Sequence, residues 1–553
     1  MAQSSSEGVP HLRRVGTTQQ LVVKGRPFLA LAAELQNSSM TSAEYMESVW
    51  PELVATNINT VLGCVTWEDI EPVEDKFDFT ELDRIVLRAR DFGLHLVLLW
   101  FGSFKNVQGI STYTPAWVKT NPRRFPRAKL RQAGGILQTG DVLSIFHQEG
   151  CHADAKAFGR LLAHIKKIDG EDSTVIMVQV ENEVGLLGDS RDGSVAAEAR
   201  FDEAVPEELI QFLTRDWNLL HDDLKVNLKH FKGVSGRPGR SWEQVFGKGA
   251  HTDELFMAYH YAKYLDQVAA AGKQAYPLPH YTNVWQPFGD GEDETNVPVV
   301  AGGEETLEFA PSLDFISPDL YLNHYASCCR KYRHRNQPLF IPEQRRDEYG
   351  ARRIWTAFGS NQAIGVSPFG IDTVESATNP FTKHYALLKS IATIILDAQT
   401  RPDDLVGFHI DELAADGGDS FKPVIKHWGG YELIIERCFV FGKPGPGAGM
   451  VIHLGDARFL LIGWGFQVRA RSLSPTSTFT GFLRFEEKQV VDSDTGQLRT
   501  LRVLNGDETR SGIAAMMPAE DPDYGGFPIC VTIPARTMIA ELAVYSIQEE
   551  DEI

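Results

Sequence analysis

Val175-Ile176-Met177-Val178-Gln179-Val180-Glu181-Asn182-Glu183-Val184-Gly185 decides how this chain is read. Five of its first six residues are apolar, which marks a buried strand, and the strand stops abruptly at Glu-Asn-Glu. A buried strand with carboxylates at its C-terminal end is how a parallel β/α barrel presents a catalytic acid. A second segment, Pro338-Leu339-Phe340-Ile341-Pro342, ends the same way in Glu343. Two strand-end carboxylates fit glycoside hydrolysis, which requires an acid/base and a nucleophile or second base.

Outward from this segment, strands and helices alternate. Buried strands are expected at Phe28–Ala33, Asn59–Val65, Leu94–Trp100, Val175–Val180, His280–Trp285, Leu313–Leu320, Leu339–Ile341 and Ile364–Phe369. Strands alternating with helical patterns predict a parallel sheet, and eight of them a closed barrel. Leu82, Ile85, Val86 and Ala89 follow i, i+3, i+4, i+7 spacing after Thr80, which reads as the cap of a helix that Gly93 ends. Ala157–Ile168 repeats the pattern with Phe158, Leu161, Leu162 and Ile165, and Lys383–Leu396 closes the barrel segment. Two connections, Gly102–Ala155 and Gly185–Pro279, are too long for plain loops; the second contains helical stretches at Glu207–Leu228 and Glu254–Ala271. Insertions of that kind build substrate pockets.

The grammar changes near residue 400. Tyr431–Phe441, Met450–Leu454, Phe459–Trp464, Ala514–Met517 and Pro528–Ile533 are short apolar segments split by Gly, Pro, Asp and Ser, as in antiparallel sheets. The expected class is therefore α/β: a (β/α)8 TIM barrel followed by a C-terminal antiparallel β-sandwich. The expected divisions are an N-terminal tail and strand at 1–25, the barrel at 26–400 and the β-rich domain at 401–553.

At 553 residues the chain is long enough for two or three domains. Its formal charge of −20 argues against nucleic acid or an anionic membrane surface as partner. The six cysteines are scattered without a CxxC, which fits a reducing compartment and argues against a zinc site or disulfide framework. No apolar core opens the chain and no run approaches the ~20 apolar residues of a membrane span, so a cytoplasmic location is expected. There is no cluster at metal-ligand spacing, no phosphate loop with a lysine and no Gly-x-Ser-x-Gly elbow, so neither metal nor cofactor is expected. The expected partner is a carbohydrate substrate, with a homo-oligomer left open. Ten tryptophans suit sugar binding, although a core position is the commoner fate of any single one.

Glu183 is the first candidate for the chemistry, as the acid that protonates the leaving oxygen, with its pKa raised by burial or a like charge. Glu181 lies two residues away and on a regular strand would face the same way. A strand-end carboxylate that caps a helix or pairs with an arginine is the plainer alternative. Glu343 is the candidate nucleophile, with Arg345 and Arg346 placed to hold it ionised. Asn182 is positioned to meet a sugar hydroxyl. Trp67, Trp285 and Tyr321 are candidate pocket walls. Glu34 after the first strand, Trp100 and Asn106 after the third, and Asn323 after the sixth are polar or aromatic groups at the same barrel end. Glu71-Pro72 reads as a structural turn, and Cys328-Cys329 as structural.

Asn59–Val65 followed by Trp67, Glu71-Pro72 and Phe77-Asp78-Phe79 resembles the barrel start of glycoside hydrolase family 35 and the related family 42, β-galactosidase families of one clan of retaining (β/α)8 enzymes. Val178–Gly185 is close to the family 35 form of the acid/base motif, and Pro115-Ala116-Trp117 resembles the Pro-Ala-Trp after its third strand. The resemblance covers roughly residues 20–400. It implies acid/base and nucleophile roles for Glu183 and Glu343, and contact of Asn182 with the 2-hydroxyl. It departs from the family at Glu34-Leu35-Gln36-Asn37, along the third strand, and at Gln344-Arg345-Arg346, so the sugar is less fixed than the clan. The expected activity is hydrolysis of terminal non-reducing β-D-galactose by double displacement. A β-glucosidase, β-arabinosidase or β-mannosidase, or a non-catalytic carbohydrate-binding protein on the same barrel, are the alternatives.

Overall fold

The eight apolar segments form β1 (Ala30–Glu34), β2 (Thr60–Thr66), β3 (His95–Asn106), β4 (Val175–Asn182), β5 (His280–Trp285), β6 (Phe315–Asp319), β7 (Phe340–Gln344) and β8 (Gly365–Pro368). They are seen in a computed structural model that describes residues 8–106, 110–231, 239–285, 308–321, 324–438, 444–519 and 535–552. Neighbours run β6-β5-β4-β3-β2-β1-β8-β7. A parallel bridge between Leu320 and Gln344, with the Leu320 N–H donating to the Glu343 carbonyl at 2.8 Å, joins the two ends into a ring. Every residue of β1, β2 and β4 is buried, as both faces of a barrel strand must be.

The helix periodicity reads correctly. In α1 (Thr80–Asp91) the buried residues are Leu82, Ile85, Val86 and Ala89. Fully burying a leucine or isoleucine contributes roughly 1.5–3 kcal/mol, so this stripe sets which face meets the sheet. Its start differs from expectation: Phe79 occupies the cap position, Thr80 is the first helical residue, and Asp78 accepts the Thr80 N–H at 2.9 Å. The helix before β4, α2 (Gln148–Asp169), begins well upstream of Ala157. Glu207–Leu228 is two helices, Glu207–Asp216 and Asp222–Asn227, and Lys383–Leu396 is likewise split, at Ile391. No helix among the described residues is long and apolar enough to cross a membrane.

Contacts divide the chain into two units. One holds residues 1–13, 21–344 and 367–375, and the other residues 14–20, 345–366 and 376–553. The helix that follows β7, Glu348–Phe358, thus clusters with the C-terminal segment. In that second unit, antiparallel strands form two sheets. One has six strands, in the order 405–410, 447–455, 458–464, 539–548, 477–492 and 497–503; the other has four, in the order 424–428, 431–437, 466–472 and 515–517. Alternate residues of both sheets enter one core, among them Phe408, Val451, Leu461 and Leu542 from the first and Leu433, Ile435, Phe466 and Val468 from the second. Period-2 burial from two facing sheets is the packing of a β-sandwich. The expected segment Pro528–Ile533 lies outside the described residues.

Candidate active site

The C-terminal ends of β3 and β4 are where the regular ladder breaks. Val180 pairs with Trp100, but Asn182 pairs with Lys105, so residues 101–104 of β3 bulge out of register. Glu181 fills the bulge: its carboxylate accepts the Ser103 N–H at 3.0 Å and the Phe104 N–H at 2.9 Å. Beside it the buried Asp154 accepts from Trp100 at 2.8 Å, Ser103 at 2.7 Å and Tyr264 at 2.8 Å. Gly102 is required here, since a Cβ would lie 2.7 Å from both Glu181 Oε1 and Trp100 Nε1.

Glu181 and Glu183 therefore do not share a face as strand alternation predicts. Both have left-handed backbone, with φ of 59° and 47°, and the strand ends between them. Left-handed φ is costly for a residue with a Cβ and persists where surrounding bonds over-determine it. Here Glu181 turns into the β3 bulge while Glu183 turns towards β5–β7.

Glu183 is held on every side. Its N–H donates to Asn283 Oδ1 at 3.0 Å, the Asn182 amide donates to its Oε2 at 3.2 Å, and its carboxyl bonds with the Trp285 indole and with Asp319. Burial and the charge of Glu343 push it up to about 7. Glu343, at the end of β7, accepts from the Tyr321 hydroxyl at 2.9 Å and lies 3.4 Å from the Asn283 amide nitrogen. One oxygen from each of Glu183, Asp319 and Glu343 lies within 4.8 Å of the other two. Three carboxylates so close are near the size of a cation site, but Lys105 supplies positive charge. Burial acts to discharge its ammonium, and the charges of Glu343, Glu183, Glu34 and Asp319 outweigh that and keep it cationic. Glu34 is completely buried, and neither oxygen meets a hydrogen-bond partner among the described residues. Burial and the charge of Glu343 hold its carboxyl well above the ordinary range.

The expected residues do not all arrive at this cluster. Glu34, Asn182, Glu183, Trp285, Tyr321 and Glu343 do. Trp67 is fully buried, its indole donating to Glu71 at 2.9 Å and its ring edge-on to Trp117. It has no free face for a sugar and serves the structural turn at Glu71. The side chain of Asn106 and the whole of Asn323 lie outside the described residues. Arg345 pairs with Asp347, and among the described residues a tyrosine and an asparagine, Tyr321 and Asn283, bond Glu343. Sequence reasoning missed Asn283, Asp319 and Lys105. The first two were legible in principle as polar residues in or ending buried strands five and six; Lys105 was hidden by the bulge.

The family model for glycoside hydrolase family 42, described as beta-galactosidase, matches residues 41–222. The chain carries a glycoside hydrolase domain. The match places this region nearer family 42 than the family 35 resemblance suggested, within the same (β/α)8 clan. A second model, described as a domain of unknown function (DUF5597), matches residues 381–516. No curated protein sequence matches the chain. Similar solved structures include the cold-adapted β-galactosidase from Rahnella sp. R3, at 15% identity and a TM-score of 0.44 over 66% of this chain and 57% of that one. The β-galactosidase from Bacillus circulans sp. alkalophilus is 15% identical with a TM-score of 0.46, over 67% and 57% of the two chains. The catalytic domain of β-amylase from Paenibacillus polymyxa is 12% identical with a TM-score of 0.43, over 64% and 97%. The alignments thus span 57% of the length of each of the two β-galactosidases.

Proposed function

We propose that this protein is a retaining β-glycosidase that removes terminal non-reducing β-D-galactose. The observation that carries the reading is the pair Glu183 and Glu343 at the ends of β4 and β7, with an oxygen of each within 4.8 Å of the other. Retaining enzymes hold their carboxyl groups about 5–5.5 Å apart, and inverting ones hold them about 6.5–9.5 Å apart to admit a water. Glu343, oriented by Tyr321 and Asn283, attacks the anomeric carbon. Glu183 gives its proton to the leaving oxygen, then takes one from the water that hydrolyses the glycosyl-enzyme. A carboxyl pushed up to about 7 is matched to that double duty. Asn182 offers its amide to the 2-hydroxyl, and Trp285 and Tyr321, both partly exposed, border the sugar. Galactose is favoured by the family description and by the sequence resemblance.

The test is turnover of nitrophenyl β-galactoside by the wild type, Glu183→Gln and Glu343→Gln, with the anomer of the first product followed by NMR. Active wild type, losses of about 10²–10⁴-fold or more in both variants and a β-configured first product are expected. Turnover of a glucoside, arabinoside or mannoside alone would move the specificity and keep the mechanism. Sugar binding with no turnover would favour a carbohydrate-binding role.

A further inference from the structure

The double-displacement scheme gives Asp319 no role, yet an oxygen of this carboxyl lies within 4.8 Å of one from Glu183 and one from Glu343, and it bonds with the Glu183 carboxyl. It ends β6, fully inside the barrel mouth, with Oδ2 accepting from the Asn283 amide at 2.9 Å. Oδ1 meets no hydrogen-bond partner among the described residues and has no solvent exposure. Two buried carboxyls in contact cannot both ionise cheaply, because like charges at that range and low dielectric repel strongly.

Resting on the assignment of Glu183 as acid/base, we propose that Asp319 and Glu183 form a dyad holding one proton between them, making Asp319 a positioning residue for the proton of the leaving group.

The groups around the dyad fit that count. Glu343 faces it from β7, Glu34 from β1, Lys105 from β3, and the Asn283 amide from β5. The nearby phenols are Tyr321, Tyr281 and Tyr332, all held protonated, first of all by burial. Asp319 is itself raised well above the carboxylate range by burial, then by the charges of Glu343 and Glu183.

The charge balances through the reaction. At rest the dyad carries one negative charge and Glu343 another. In the first step Glu343 forms its bond to the anomeric carbon and becomes a neutral ester, the glycosidic C–O bond breaks, and the dyad gives its proton to the departing oxygen, which leaves as a neutral alcohol, so that the dyad becomes doubly negative. The total is unchanged, and Lys105 is the counter-ion in both states. In the second step the dyad takes the proton of the attacking water, the C–O bond to Glu343 breaks, and the original charges return. A doubly ionised dyad is a stronger base than a lone carboxylate, so the second step gains most.

The experiment is the pH profile of kcat/KM and of deglycosylation for wild type and Asp319→Asn, using aryl galactosides with good and poor leaving groups. With the like charge removed, the basic limb on the poor leaving group should move to lower pH by about one unit or more, and deglycosylation at neutral pH should slow about tenfold. Glycosylation by a dinitrophenyl glycoside, which needs no acid, should hardly change. Loss of activity with an unmoved basic limb would overturn the dyad in favour of a structural role.

A second reading needs no turnover and leaves Asp319 in place: infrared titration of the protonated-carboxyl band in wild type and Glu183→Gln. The band should be lost at lower pH in Glu183→Gln, because the facing charge is gone; identical titrations would overturn the proposal. An intact infrared difference with no turnover of any β-glycoside would instead overturn the glycosidase reading alone.

Discussion

Asn283 accepts the backbone N–H of Glu183 at 3.0 Å, tying the end of β4 to β5, while its own amide faces Asn182 at 3.1 Å, Asp319 at 2.9 Å and Glu343 at 3.4 Å. One side chain thereby touches two carboxylates of the trio, those of Asp319 and Glu343, and the backbone that aims the third, Glu183. Asn283→Ala should therefore lower kcat more than it raises KM. A displacement of about 1 Å at a reacting group costs on the order of 10²-fold, and a loss of that size in kcat is expected, together with destabilisation of about 1–3 kcal/mol because the buried Glu183 N–H loses its acceptor. An unchanged kcat would show that Asn283 does not set the geometry.

Glu183 must draw on a proton to donate, so kcat/KM on a poor leaving group should fall as pH rises above about 7, the value of Glu183 itself, with the proton shared with Asp319 carrying the basic limb higher. The Trp285 indole favours the ionised form of Glu183 by donating to it. Trp285→Phe removes that donor and should move the basic limb to higher pH, the opposite direction to Asp319→Asn. A limb that stays in place, measured by kcat/KM across pH, would remove the indole from the proton's control.

Glu34 holds its proton more tightly in the folded chain than when unfolded, so its ionisation opposes folding. Its stabilising contribution is fully present below the ordinary value of about 4.5 and is lost progressively as pH rises from there towards its folded value, which burial and Glu343 raise well above that range. Denaturant titrations at several pH values should show Glu34→Gln gaining stability relative to wild type as pH rises above about 4.5, with no such drift below. Because neither oxygen of Glu34 meets a hydrogen-bond partner among the described residues, the same variant should raise KM for the sugar. A pH-independent stability difference would mean that Glu34 is not buried as an isolated acid.

Gly102→Ala forces a methyl group within 2.7 Å of Glu181 Oε1 and 2.9 Å of Asp154 Oδ1. Overpacking of this kind costs about 1–3 kcal/mol. Glu181→Ala strips the Ser103 and Phe104 amides of their acceptor, at about 1–3 kcal/mol for each buried donor left unmade. Chemical denaturation should find both variants destabilised, and Glu181→Ala should also lower kcat, because Lys105 and Glu183 lie on either side of the bulge it fills. Native stability in both would mean that the bulge holds without Glu181.

All eight barrel strands were legible, most plainly β2, β3 and β4, where burial on both faces writes long apolar runs, and Leu82, Ile85, Val86 and Ala89 betrayed their helix because only one stripe of it is buried. Glu183 and Glu343 were legible as candidates because strand ends expose a carboxylate after an apolar run. Trp67 was misread because a tryptophan after a barrel strand looks the same whether its ring faces a sugar or its N–H braces Glu71. Arg345 was misread because adjacency in sequence says nothing about which way a loop turns after β7.

The sequence by itself determined the order of strands and helices, the change to sandwich grammar near residue 400, and the two strand-end glutamates. Those features depend on local periodicity, which a chain carries wherever it goes. Only the tertiary structure decided that Glu181 leaves the site while Glu183 enters it, and that Lys105, Asn283 and Asp319 join it. Their positions follow from a three-residue slip in the β3–β4 register, from left-handed φ at two glutamates, and from closure of the barrel. Register slips and ring closure arise between strands far apart in sequence, where no single segment records them.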